Sequence, residues 1–173
     1  LDFLRVGNKH NCDLEFHAYL LENKVSQLPD VSKVDELIKG TRIIVGTVAS
    51  LSGMTALLIR KGFSLAIIDD DSQLLEPHLL PLLMAGDSDE LAIQRFVFIG
   101  DHKQLPAVVQ QTSYDSCVQD EELQVIGLLD CRNSLFERLY YAVPKCCVHE
   151  FTKQGRMHPE VAHFANQQFY GGQ

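Results

Sequence analysis

The sequence predicts an α/β fold built on a parallel, doubly wound sheet. Three observations carry that reading. Short apolar runs recur along the chain, segments of helical periodicity separate them, and two of the runs, RIIVGTV and SLAIIDD, are continuous rather than alternating. Strands that alternate with helices form parallel sheets, and a continuous apolar strand is expected where both sheet faces are covered.

Strands are expected at Phe3–Val6, Ile43–Val48, Leu65–Ile68, Phe96–Ile99 and Cys146–Phe151. Leu14, Ala18, Leu21 and Val25 share one face of a helical repeat. Ser32 is expected to cap a helix running through Leu37-Ile38, with Gly40 as its stop. Glu76-Pro77 opens another helix, with proline in the first turn, where its missing N–H costs nothing. Ser134 and Glu137 form a capping-box pattern ahead of Leu135, Phe136, Leu139 and Tyr140. His158-Pro159 opens a last helix with Val161, Phe164 and Ala165 as its apolar face. Residues 110–132 have no clear period and read mainly as a loop, and Pro144 marks a link toward a second domain.

Composition sets the bounds. The 173 residues carry 15 Lys+Arg against 23 Asp+Glu, a formal net charge of −8, with 46% hydrophobic residues. That is the make-up of a globular domain rather than a disordered tail, and it excludes a basic coat while leaving a local basic groove open. No run approaches the roughly 20 apolar residues of a membrane-spanning helix. The opening LDFLRVGNKH lacks the basic-then-apolar pattern of a secretory signal. Cys12, Cys117, Cys131, Cys146 and Cys147 form no CxxC pair, which fits reduced thiols in a cytoplasmic or nuclear protein. The chain does not open on Met, starts inside an expected strand and ends on Gly171-Gly172-Gln173, so it reads as a piece of something larger.

In parallel α/β sheets chemistry gathers at the carboxyl ends of the strands. There the sequence places Ala49-Ser50, then Asp69-Asp70-Asp71-Ser72-Gln73, then Gly100-Asp101-His102-Lys103-Gln104, then Thr152, Gln154 and Arg156. Asp69 is suited to holding Mg²⁺ at the end of a buried strand, and Asp70 to polarising a water beside it. Gly100 permits a tight turn, and the Gln104 amide is able to hold a phosphate oxygen and a water together. The Arg156 guanidinium suits a phosphoryl group whose charge shifts during transfer. An acidic turn or a surface arginine is also common without any such role. His10, Cys12 and His17 complete no zinc spacing, and His78, His149 and His163 read as structural or surface residues.

The ordered set VGTVAS, IIDDDSQLLEP, FVFIGDHKQLPAVV, SLFERL and QGRMHPEVAHFANQQFYGG resembles superfamily 1 helicases of the nonsense-mediated-decay and DNA-replication type, from about Arg42 to Gly172. LRVGN looks like the strand that precedes that family's nucleic-acid contacts. The resemblance implies a RecA-like sheet of the P-loop NTPase type, partial here. Residues 1–143 would be part of a first RecA-like domain and residues 144–173 the start of a second. It implies ATP and Mg²⁺ as cofactors and 5′-to-3′ movement along single-stranded DNA or RNA, driven by domain closure around the nucleotide. By resemblance Asp69 binds Mg²⁺, Asp70 stands at the general base, Gln104 senses the γ-phosphate, Arg156 reaches it from the second domain, and Thr47 with Ser50 holds the nucleic-acid backbone.

Three departures accompany the resemblance. Asp70 replaces the family's Glu and is one methylene shorter; a misplacement of about 1 Å costs on the order of 100-fold in rate. Gly155 replaces the usual Tyr of QYRMHP. A P-loop needs GxxxxGK[ST], and none of the 11 glycines here is followed by Lys. The isolated chain is therefore expected neither to bind ATP well nor to unwind nucleic acid. An exposed sheet edge makes self-association an expectation. Two other readings stand beside this one. One is a non-catalytic binding module of a degenerate helicase. The other is a haloacid-dehalogenase-type phosphohydrolase with Asp69 and Asp71 as nucleophile and acid/base and Asp101 near a metal, although Gln73 stands where that family has Thr or Val.

Overall fold

The computed structural model describes residues 2–87, 90–91 and 93–172. In chain order the elements are β1 (Leu4–Val6), α1 (Leu21–Ser26), α2 (Val31–Gly40), β2 (Ile44–Gly46), α3 (Val48–Ser52), α4 (Thr55–Lys61), β3 (Ala66–Ile68), α5 (Glu76–Leu83), β4 (Gly86–Asp87), β5 (Glu90–Leu91), β6 (Phe96–Phe98), α6 (Ser113–Ser116), α7 (Glu121–Val125), α8 (Leu135–Ala142) and α9 (Pro159–Phe169). Short 3₁₀ turns cover Leu14–Tyr19, Asp71–Gln73 and Lys145–Cys147, among others.

The strands pair in parallel, as expected, but as pairs. β1 lies beside β2 with Leu4 opposite Ile44, and β3 lies beside β6 with Ile68 opposite Phe98, while β4 and β5 form a small antiparallel hairpin. The chain divides into two compact units, residues 1–69 with 74–99, and residues 70–73 with 100–173.

In the first unit the strands bury one face. Leu4, Leu20 and Leu79 are fully enclosed, and Ile68 and Leu58 join them. The other face is open: Val45 is 44% exposed, Ile67 64% and Val97 44%. This corrects the expectation that the continuous apolar runs are covered on both sides. Local chemistry fixes the helices. Asp30, not Ser32, caps α2: its Oδ1 accepts from the Lys33 N–H at 3.2 Å and from the Ser32 hydroxyl at 2.5 Å, so Ser32 already lies inside the helix as a donor to the cap. α4 stops at Gly62, whose φ of 61° suits a residue without Cβ. The periodic segment at 14–25 is split into a 3₁₀ turn and α1. β2 ends at Gly46 rather than Val48, because Thr47 turns the chain into α3 by accepting the Ser50 N–H at 3.2 Å.

In the second unit, Ser134 caps α8 by accepting the Glu137 N–H at 3.1 Å, the pattern expected from the sequence. The small core includes Leu135, Val118 and Ala162. Three expectations are corrected here. Cys146–Phe151 is not a strand: Pro144 leads into a 3₁₀ turn at Lys145–Cys147, and residues 148–151 carry no regular element. Residues 110–132 hold α6 and α7, each nucleated by a side-chain cap, from Thr112 and Asp120. In α9 the buried residue is Ala162, whereas Val161 and Phe164 are 67% and 70% exposed.

Candidate phosphate-facing site

Each unit contributes sequence-predicted residues, and they are described unit by unit. In the first, Thr47 and Ser50 stand at the start of α3 with their hydroxyl oxygens 2.9 Å apart. The cap bond occupies Thr47, so its hydroxyl serves the helix end. Asp69 is exposed directly after the buried Ile68 at the carboxyl end of β3. The parallel register with β6 brings the two strand ends side by side, closed by the Ile99 N–H donating to the Ile68 carbonyl at 2.8 Å. An open apolar cleft lined by Phe3, Arg5, Phe16, Ile43 and Val45 contains none of the predicted residues.

In the second unit two loops run against each other. Asp70 has φ of 54°, the left-handed region that ordinary L-residues avoid and that Asp and Asn enter most readily. The turn is pinned by the Gln73 N–H donating to the Asp70 carbonyl at 3.0 Å. The Ser72 hydroxyl then accepts the Asp101 N–H at 3.2 Å. Gly100 is required at this meeting point: a Cβ there would lie 2.9 Å from the Ser72 nitrogen and 3.3 Å from Phe136 Cδ2.

Asp101 organises the second loop. Its Oδ1 accepts the Lys103 N–H at 3.0 Å, and its Oδ2 accepts both the Gln104 amide at 3.0 Å and the Tyr170 hydroxyl at 2.5 Å. Burial alone would raise this carboxyl, but the Tyr170, Gln104 and Lys103 donors outweigh it and hold Asp101 below the ordinary carboxylate range. The same bond, with partial burial, pushes the Tyr170 hydroxyl up to about 12. The Lys103 ammonium sits 5.4 Å from the centre of the Tyr170 ring. Gln104 is exposed, so its amide is reachable from solvent. Arg156 is exposed as well, with no hydrogen bond or ion pair to another described residue. Among the described residues nothing within 4 Å would meet a Cβ at Gly155.

Asp71 is the residue that sequence reading undervalued. It is fully buried, and among the described residues neither carboxylate oxygen has a hydrogen-bond partner. Desolvation raises its pKa to about 6. Tyr170 also went unweighted, because its signal is a contact across 69 positions of sequence. His17 Nε2 lies 3.1 and 3.0 Å from the Lys9 and Cys12 carbonyl oxygens, and His78, His149 and His163 are exposed. Among the described residues no group of three or more His, Cys, Asp or Glu side chains is placed to hold a metal. No helix among them is long and apolar enough to cross a membrane.

Comparison with known proteins defines the class. Residues 8–112, more than half of the chain, match the AAA domain family. The chain belongs to that family, in its superfamily 1 helicase type, a P-loop NTPase-type domain of mixed α/β structure. Among its relatives, the DNA replication ATP-dependent helicase/nuclease DNA2 of Mus musculus is 27% identical over 98% of this chain and 14% of its own length. The probable helicase MAGATAMA 3 of Arabidopsis thaliana is 34% identical over 83% of this chain and 15% of its own. The uncharacterized ATP-dependent helicase MJ0104 of Methanocaldococcus jannaschii is 28% identical over 88% of this chain and 20% of its own. The chain thus spans 14 to 20% of the length of these relatives.

Proposed function

We propose that this chain supplies the Mg²⁺- and γ-phosphate-facing part of an ATP-dependent helicase or translocase acting on single-stranded DNA or RNA inside the cell. The observation that carries the reading is the pairing of β3 with β6, from whose adjacent carboxyl ends the acidic loop and the Gln104 loop emerge. In the full domain the paired strands belong to a doubly wound RecA-like sheet, with residues 1–143 in the first RecA-like domain and 144–173 beginning the second.

The donor set fits the expected cofactors in part. Asp69 and Asp70 offer hard carboxylate oxygens suited to Mg²⁺ and its waters, and Gln104 and Arg156 offer donors suited to terminal phosphate oxygens. No residue of the chain supplies the Lys-bearing cradle for the inner phosphates. When bound, Mg²⁺ would supply positive charge against that developing on the phosphoryl oxygens. Asp69 would hold that ion, Asp70 would take a proton from the attacking water, Gln104 would orient the water, and Arg156 would stabilise the charge as it moves. Thr47 and Ser50 would face the nucleic-acid backbone from the exposed start of α3. The open edges of the strand pairs and their exposed apolar face favour self-association of the isolated chain.

ATP turnover stimulated by single strands tests the proposal, measured on a polypeptide in which this chain follows a P-loop segment. Asp70→Glu is expected to raise turnover 10- to 100-fold by restoring the missing methylene, on the scale of about 1 Å of misplacement. The same change is expected to cost about 1 kcal/mol of stability, because a longer side chain is less at home at a φ of 54°. Turnover that single strands do not stimulate would contradict the proposal.

A further inference from the structure

We propose that Tyr170 is a positioning residue for Gln104, acting through Asp101. The three side chains meet at one atom: Asp101 Oδ2 accepts the Tyr170 hydroxyl at 2.5 Å and the Gln104 amide nitrogen at 3.0 Å. The proposal rests on Gln104 as the phosphate-facing amide and says what fixes its orientation.

A carboxylate is an acceptor only, so it admits the NH₂ side of a glutamine and repels the carbonyl side. With Asp101 ionised, the Gln104 amide has one orientation. Its nitrogen faces Asp101, and its carbonyl oxygen and second N–H are left for other partners. Asp101 is itself fixed on several sides. Its backbone N–H is held by Ser72, its Oδ1 by the Lys103 N–H, and its carbonyl by the Gln104 N–H at 3.1 Å. The remaining restraint on Oδ2 comes from Tyr170. That residue closes the end of α9, donating its N–H to the Asn166 carbonyl at 3.0 Å. Lys103 over its ring seats the phenol from the other side. Gly171 and Gly172 follow at φ of 71° and 76°, so the chain turns away immediately after the tyrosine. Loss of the Tyr170 hydroxyl removes one of the two donors at Oδ2 and loosens the amide. The end of the last helix is thereby coupled to the Gln104 loop.

The charged and titratable groups facing Tyr170 are Asp101 and Lys103, with His102 near the Asp101 carboxylate. The test uses the 173-residue chain with ¹³C-labelled tyrosine and ¹⁵N-labelled glutamine. Tyr170 is assigned by its loss in Tyr170→Phe, and the Gln104 side chain by its loss in Gln104→Asn. In wild type Tyr170 is expected to titrate up near about 12, and in Asp101→Asn to fall toward the ordinary value of about 10. In Tyr170→Phe, which keeps the ring and removes only the hydroxyl, the Gln104 NH₂ resonances are expected to shift while the amides of β1 and β2 stay in place. Unmoved Gln104 resonances in Tyr170→Phe would overturn the proposal, as would a Tyr170 titration that is the same in wild type and Asp101→Asn. Neither readout involves nucleotide, so a failure here is separate from a failure of the phosphate reading, which the turnover experiment decides.

Discussion

Asp71→Ala is expected to make the chain more stable at pH 8 than wild type, and to remove a pH dependence that wild type shows. Asp71 is fully buried, and its carboxyl has no hydrogen-bond partner among the described residues. Its folded pKa is raised to about 6 from an ordinary 3.8. The folded chain therefore holds the proton where the unfolded chain has released it. Stability from the neutral acid is fully present below the unfolded value and is lost as the pH rises through about 6. At roughly 1.4 kcal/mol per pKa unit the loss is about 3 kcal/mol. Urea unfolding of both chains from pH 4 to pH 8 reads this directly. The stability difference between them should change by about 2.5 kcal/mol across that range, in favour of the variant at high pH. Parallel curves would mean that Asp71 finds a partner or solvent.

Arg156→Ala is expected to lower ATP turnover by on the order of 1,000-fold in a polypeptide that carries this chain behind a P-loop segment. Folding stability should stay within about 0.5 kcal/mol, as for surface substitutions generally. The contrast follows from the structure. Arg156 is exposed and bonds to no described residue, so the fold has no visible use for it. A guanidinium held out in this way costs little to remove unless it meets a phosphoryl group. Steady-state turnover beside thermal unfolding of the same two proteins checks both halves. A variant that turns over like wild type would show that Arg156 does not touch the reaction.

Local signals in the sequence translated well. The Ser134–Glu137 pattern gave the start of α8, His158-Pro159 the start of α9, and the parallel pairing followed from the apolar runs. Signals that depend on coverage by another element did not translate. The continuous runs RIIVGTV and SLAIIDD imply two covered faces, yet Val45 and Ile67 are open to solvent. Cys146–Phe151 has strand-like composition but pairs with no strand among the described residues, and β propensity is mostly a matter of fit to neighbours. For the candidate site, Asp69, Asp70, Gln104 and Arg156 are proposed from motifs that are short and ordered in the sequence. Asp71 was hidden, since a run of three aspartates does not reveal which one is buried. The Asp101–Tyr170 bond was hidden by its separation along the chain.

Nucleotide binding tests most directly whether this chain is the catalytic half of a phosphate site without its cradle. A fluorescent ATP analogue with Mg²⁺ is titrated into the 173-residue chain and into a polypeptide extended upstream by a GxxxxGK[ST] segment. Saturable binding in the extended polypeptide alone is the predicted result. Tight binding by the 173 residues alone would contradict it, and would place the phosphate site somewhere other than the ends of β3 and β6.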